Sequence, residues 1–189
     1  MPVPGVPSGV LPLSAQAPGY LALDTSAVFH ALFESESRHE AYRDYLRGAL
    51  ERGSRLVFSE LLEVELAEAC LGVAGREQHP TANALLAARH EYLNTVMGGW
   101  EALLDEATYH RLPIRETHSA QGWEHAFALA LDIVGGYVVR MADAIHAATA
   151  AILSAPLLTD DLDFSKLPAH LLTIVTHDEQ VDEARANRR

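Results

Sequence analysis

The stretch "YLALDTSAVFHAL", residues 20–32, decides the fold. It opens as a compact apolar run of strand type and ends that run on an aspartate, Asp24. From there apolar residues return at helical spacing, with Thr25 or Ser26 near the helix start. Strand, acidic residue and helix together make the repeating unit of α/β sheets, whose sites form where strands end and loops begin. The pattern recurs along the chain. "RLVF" (55–58) reads as a second short strand leading into the helix "SELLEVELAEACL" (59–71), and "APLLT" (155–159) as a strand ending on "DDLDF" (160–164). "LLTIVT" (171–176) is a last strand, and "RLPIRE" (111–116) a further short candidate.

Between these runs the helical patterns are equally plain. Residues 38–52 place Ala41, Tyr45, Leu46, Ala49 and Leu50 inward, and Gly53 and Ser54 end the helix. An alanine- and leucine-rich region, 79–110, predicts one or two helices, with a break at Gly98 and Gly99. Residues 119–134 predict another, and 141–153 a buried one. With no hairpin signals and no internal repeat, the chain is expected to be α/β with a mostly parallel central sheet. Residues 1–19 carry five prolines and no charge, and are expected to form a flexible extension docking through Val10 to Leu13. The polar residues after His177 are expected to fray.

Composition excludes several classes of function. The chain has 189 residues, enough for one domain with a sizeable core, and 49% of them are hydrophobic. No apolar run reaches the roughly 18–20 residues of a membrane span. The first lysine or arginine is Arg38, so the N-terminus lacks the positive region of a secretory signal and the expected address is cytoplasmic. A single cysteine, Cys70, excludes an internal disulfide and a cysteine-cluster metal site. The ten histidines never fall at the i, i+4 spacing of a helical zinc site. A net charge of −12 argues against coating nucleic acid by general electrostatics, but not against an enzyme whose carboxylates hold cations locally.

Four carboxylates stand in unusual places. Asp24 ends the first strand of the domain. In the helix after "RLVF", Glu65 falls within the apolar stripe of Leu61, Leu62, Leu66 and Ala69, while Glu60 and Glu63 fall opposite it. In "MADAIHAATAAIL" (141–153), Asp143 is the only charged residue if His146 is neutral, and a lone buried carboxylate costs several kcal/mol unless it is met. "LLTDDLDF" (157–164) adds Asp160, Asp161 and Asp163 at a strand end. Taken singly, each has an ordinary explanation. Asp24 or Asp143 caps a helix, Glu65 pairs with an arginine, and the aspartate cluster is a solvated loop or cap. Together they come from separate segments with too few nearby cations to neutralise them. A divalent metal with oxygen ligands, Mg²⁺ or Mn²⁺, would do so.

The motifs "LALDTSAVFHAL", "FSELLEVELAEA", "MADAIHAATA" and "LLTDDLDF", in that order, resemble those of PIN-domain ribonucleases, especially the VapC-type toxins of toxin–antitoxin pairs. The resemblance rests on Asp24 with Thr25 and Ser26, on Ser59 followed by Glu65, on Asp143 opening an alanine-rich helix, and on Thr159, Asp161, Asp163 and Phe164. It covers roughly residues 20–72 and 136–176. It implies a PIN-like three-layer α/β/α domain over 20–176, with a helical insertion around 73–135 and a polar tail, 177–189.

Also implied is an endoribonuclease that uses Mg²⁺ or Mn²⁺ and metal-activated water to hydrolyse RNA. Asp24, Glu65, Asp143 and Asp161 would bind metal, with Asp163 as an auxiliary ligand. Ser26 and Thr159 would orient carboxylates by hydrogen bonding. A cognate antitoxin and a homodimer are further implications. Arg38, Arg43 and Arg47 are candidates for phosphate contacts, against the plainer reading of a solvated face. His146 is either near the site or simply packed. Asp160 is expected to tolerate asparagine.

Two other readings compete: a PIN-type nuclease of RNA processing or turnover without an antitoxin, and a non-catalytic acidic receiver-like module. The second lacks its lysine on a later strand, since the lone Lys166 follows "DDLDF" directly. A haloacid-dehalogenase phosphatase would need an aspartate where Ser26 stands.

Overall fold

Residues 20–23 form β2 (Tyr20–Leu23), and α1 (Thr25–Leu32) follows directly in the computed structural model, which describes residues 9–113 and 124–186. Next come α2 (His39–Glu51), β3 (Arg55–Ser59), α3 (Leu61–Arg76), α4 (Ala82–Glu106) and β4 (Tyr109–Leu112). After the undescribed stretch come α5 (Glu124–Gly136), α6 (Met141–Ile152), β5 (Leu157–Leu158), a 3₁₀ turn (Leu162–Lys166), β6 (Ile174–Thr176) and α7 (Asp178–Ala186). A strand at the N-terminal edge, β1 (Val10–Pro12), completes a sheet of order β1-β6-β5-β2-β3-β4, and every pairing in it is parallel.

The three layers follow from strand periodicity. Side chains alternate across a strand, so Leu21, Leu23, Leu56, Phe58, Leu158 and Val175 pack into one core. Their neighbours Ala22, Val57, Leu157 and Ile174 pack into the other. The first core is closed by α1, α2, α3 and α4 through residues such as Val28, Tyr42, Leu46, Leu66 and Trp100. The second is closed by α5, α6 and α7 through Ala130, Ile133, Ala147 and Val181. At the end of α2, Gly53 takes φ +78°. Its N–H meets the Leu50 carbonyl and the Ser54 N–H meets that of Ala49, the paired bonds of a Schellman motif, which turn the chain into β3.

Three expectations change. The proline-rich segment docks at Val10 to Pro12, within the stretch expected, but as a strand and not loosely: Val10 is buried and β1 runs parallel to β6. Edge strands tolerate proline, whose missing donor can face away from the ladder, so Pro12 fits there. Residues 1–8 lie outside the described part. The tail does not fray at His177, because Val181 and Ala184 seat α7 on the second core. The glycine pair does not break α4, which runs unbroken from Ala82 to Glu106. Gly99 instead lets α4 approach Leu32 on α1, since a Cβ there would stand 3.3 Å from Leu32 Cδ2.

The candidate strand at 111–116 is met by β4 only as far as Leu112, and the start of the helix expected at 119–134 lies outside the described residues. Among the described residues no helix is long and apolar enough to cross a membrane.

A Cβ at Gly98 meets nothing within 4 Å. Gly98→Ala is therefore expected to raise stability by about 1 kcal/mol, the difference in helix propensity. Urea unfolding measures it, and a destabilised variant would contradict a continuous helix.

Candidate acidic site

The chain leaves β2 for one side of the sheet, through β3 and β4, and returns to the other side with β5 and β6. The crevice between β2 and β5 is thus the switch point where parallel sheets place ligands. Asp24 sits at the end of β2, and its N–H donates to the Leu158 carbonyl at 3.0 Å. Thr159 stands beside it at the end of β5.

Asp24 occupies the N-cap position of α1, yet its side chain makes no capping bond. It is 6% exposed, and its Oδ2 accepts from both the Ser26 hydroxyl and the Thr159 hydroxyl, the latter at 2.8 Å. The simple capping explanation therefore fails for Asp24. Two hydroxyls, that of Thr159 buried and that of Ser26 half-buried, hold one carboxylate oxygen, and Oδ1 is left facing His146 Nε2 at 3.8 Å.

Glu65 points inward from α3, as the helical stripe requires. Its partner is not an arginine. Oε2 accepts from Thr25 Oγ1 at 2.6 Å and pairs with His146 Nε2 at 2.7 Å. Burial pushes the Glu65 carboxyl up, but the bonds from His146 and Thr25 and the imidazole charge outweigh it, so its pKa is lowered. For His146, burial pushes down, whereas the bond to Glu65 and the charges of Asp24, Glu65 and Asp143 push up and prevail. His146 is thus packed, hydrogen-bonded and close to Asp24 and Glu65 at once.

Asp143 stands in the first turn of α6, three residues after the Arg140 N-cap, whose N–H donates to Oδ2 at 3.3 Å. The reciprocal capping bond, from the Asp143 N–H to the Arg140 side chain, cannot form, because a guanidinium has no acceptor. Burial raises the Asp143 pKa first, followed by repulsion from Asp161 and Asp24. Asp161 behaves alike: burial raises it, then Asp163 and Asp24 add to the rise. Asp161 also caps the 3₁₀ turn, accepting from the Asp163 N–H on Oδ1 at 2.7 Å, so the cap reading of this loop is partly right. Its own N–H donates to Thr159 Oγ1 at 2.9 Å.

Four predicted residues, Asp24, Glu65, Asp143 and Asp161, therefore come from four elements onto one end of the sheet. Asp163 is different. Its carboxylate pairs with Lys166 Nζ at 2.6 Å on the surface, and only its N–H reaches Asp161. Arg43 and Arg47 lie along α2 with Asp44, a solvated arrangement. Arg38 turns inward to Asp160.

Asp160 is the largest departure from expectation. Its Oδ1 accepts from Arg38 Nη1 at 2.6 Å and Tyr42 Oη at 2.8 Å, while Oδ2 meets His30 Nε2 at 3.0 Å. Burial pushes its pKa up, but these three partners more than offset it and the pKa is lowered. Asp160 is an anchored ion, not a solvated loop aspartate. Sequence spacing gave no sign of this, since Arg38 lies 122 residues away.

The set of donors is all oxygen plus one imidazole, and the mutual repulsion that raises Asp143 and Asp161 is what a divalent cation would relieve. Among the described residues no three such groups stand close enough to hold an ion as they are placed. The fit is one of donor chemistry and charge. Beside the site, a cleft of about 330 Å³ opens between α1 and α3, lined by Thr25, Ser26, Phe29, Val73 and Arg76 among others.

Comparison with known proteins agrees with this architecture. No curated protein matches the sequence significantly. A chain of VapBC2 from Rickettsia felis, solved bound to a DNA fragment from its promoter, is similar in structure, with a TM-score of 0.50 and 14% identity. The match covers 84% of this chain and 98% of that one. A chain of FitAcB from Neisseria gonorrhoeae is similar with a TM-score of 0.52 and 19% identity, over 83% of this chain and 96% of that one. Both likenesses concern the fold. The PIN domain model matches residues 21–170, from the first residues of β2 to just before β6, and this chain belongs to the PIN domain family.

Proposed function

We propose that the chain is a divalent-cation-dependent endoribonuclease and the toxin of a toxin–antitoxin pair. The observation that carries this reading is the convergence of Asp24, Glu65, Asp143 and Asp161 where β2 meets β5, with Asp143 and Asp161 raised in pKa partly by their acidic neighbours. Those four residues would hold Mg²⁺ or Mn²⁺. Bound there, the cation supplies Lewis acidity for attack of water on a phosphodiester and offsets the charge that develops.

The chain's own part is orientation. Ser26 and Thr159 fix one oxygen of Asp24, which leaves the other directed into the site. Thr25 and His146 do the same for Glu65. His146 pairs with Glu65 and faces Asp24, and the charges of Asp24, Glu65 and Asp143 all raise its pKa, so its imidazole would moderate the repulsion among those three. The Asp163 N–H holds Asp161.

The antitoxin part of the reading rests on the motif resemblance to VapC-type toxins and on the similarity to a VapBC2 chain. The expected partner is a small DNA-binding protein encoded by a short reading frame immediately upstream. A homodimer belongs to the same reading.

Purified protein is expected to cleave single-stranded RNA with Mg²⁺ or Mn²⁺ and to stop with EDTA. Cleavage undiminished by EDTA would overturn the cation requirement. Thr159→Val keeps the shape of the side chain but removes the donor to Asp24 and the acceptor for the Asp161 N–H. Cleavage is expected to fall roughly 10- to 100-fold, as for other partners that orient ligands. A rate equal to wild type would show that Asp24 needs no such support.

A further inference from the structure

Beyond β6 the chain folds back onto the site. Gln180, on α7, is 6% exposed, and its Nε2 donates to the Asp160 carbonyl at 2.7 Å. Its other end is fixed, because Oε1 accepts from Thr176 Oγ1 at the end of β6. Tyr42, fully buried on α2, places its hydroxyl 3.0 Å from the preceding carbonyl, that of Thr159, with its one proton shared with the Asp160 carboxylate, and the His177 N–H donates to the same hydroxyl at 3.3 Å. On the opposite side, the Asp160 N–H donates to Ser26 Oγ at 3.0 Å. The peptide groups that set the direction of Asp161 are thus held from α1, α2 and α7.

This dense fastening falls on two residues, Thr159 and Asp160, directly before a carboxylate whose neighbours repel it. Without a fixed backbone, Asp161 would swing toward solvent to escape Asp24 and Asp163. The family match ends at residue 170, so Gln180 lies outside it.

We infer that Gln180 is a positioning residue for Asp161, and that the C-terminal helix is therefore a working part of the acidic site. The inference rests on the cation-site reading above. It assigns α7 a role that its polar sequence does not suggest, and the role requires an N–H donor at residue 180. Gln180→Glu isolates that donor: it keeps the acceptor for Thr176 and sets a carboxylate against the Asp160 carbonyl.

The test is Mn²⁺ binding to the full chain by calorimetry, counting only the binding that Asp24→Asn removes. Gln180→Glu is expected to weaken that binding roughly 10- to 100-fold. Val96→Ala, a buried truncation on α4, serves as a destabilised control and is expected to lower the melting temperature with Mn²⁺ affinity unchanged. A Gln180→Glu protein that binds Mn²⁺ as wild type does would overturn the inference alone. Loss of affinity in Val96→Ala equal to that in Gln180→Glu would also overturn it, by reducing the effect to stability. Wild type without such binding would remove the underlying reading, and the inference with it. Should Gln180→Glu fail to fold, Gln180→Met, which removes the same N–H donor without adding a charge, is read in the same way.

Discussion

Asp24→Asn is expected to reduce RNA cleavage by roughly 10³-fold, the loss of several kcal/mol of charge stabilisation at about 1.4 kcal/mol per tenfold. The substitution is nearly isosteric. An asparagine oxygen still accepts from Ser26 and Thr159, so the hydrogen bonds at Oδ2 persist. What changes is the other position, where an amide nitrogen replaces a carboxylate oxygen and cannot ligate a cation. Removing one negative charge also relieves Asp143 and Asp161, both raised in part by Asp24. The melting temperature is therefore expected to hold or rise while activity disappears, the trade expected of a strained functional group. Activity assays and thermal melts on the same preparation check both. A variant that loses activity only because it melts earlier would make Asp24 a structural residue.

Asp160→Asn is expected to cost about 2 kcal/mol, in the range for hydrogen bonds to a charged group, and to lower the melting temperature by roughly 5 °C. Arg38, Tyr42 and His30 converge on this carboxylate, and an amide can satisfy at most some of them. The sign with pH follows from the lowered pKa of the folded protein. The stabilisation is fully present above the ordinary aspartate value of 3.8, and it is lost as pH falls through the depressed folded value. The gap between wild type and variant is thus full at neutral pH and narrows in acid. Equal stability at pH 7 would restore the view of Asp160 as a replaceable loop residue.

The parts of the fold that were legible rest on local periodicity. The short apolar runs "YLAL" and "RLVF" mark strands, while the division of their side chains between two cores, Leu21, Leu23, Leu56 and Phe58 in one and Ala22 and Val57 in the other, is seen only in the structure. The helical stripe of α3 selects Glu65 from four glutamates, and the structure turns Glu65 inward to Thr25 and His146. What was illegible depends on partners far away in sequence. β1 is three residues among prolines and exists because β6 pairs with it. Gly98 and Gly99 look like a break, but packing against α1 and α3 carries α4 through them. Among the described residues of α7, Val181 and Ala184 are the core residues in a polar stretch. The site divides in the same way. Residue type and strand position pointed to the carboxylates, whereas the anchoring of Asp160 by Arg38 and the pairing of Glu65 with His146 span 122 and 81 residues.

The claim on which the rest depends is that carboxylates from four elements make one cation site. Anomalous diffraction from a crystal soaked in Mn²⁺ tests it most directly. A strong peak enclosed by Asp24, Glu65, Asp143 and Asp161, absent from Asp143→Asn, is the expected result. Peaks confined to exposed surface carboxylates, with none between β2 and β5, would contradict it.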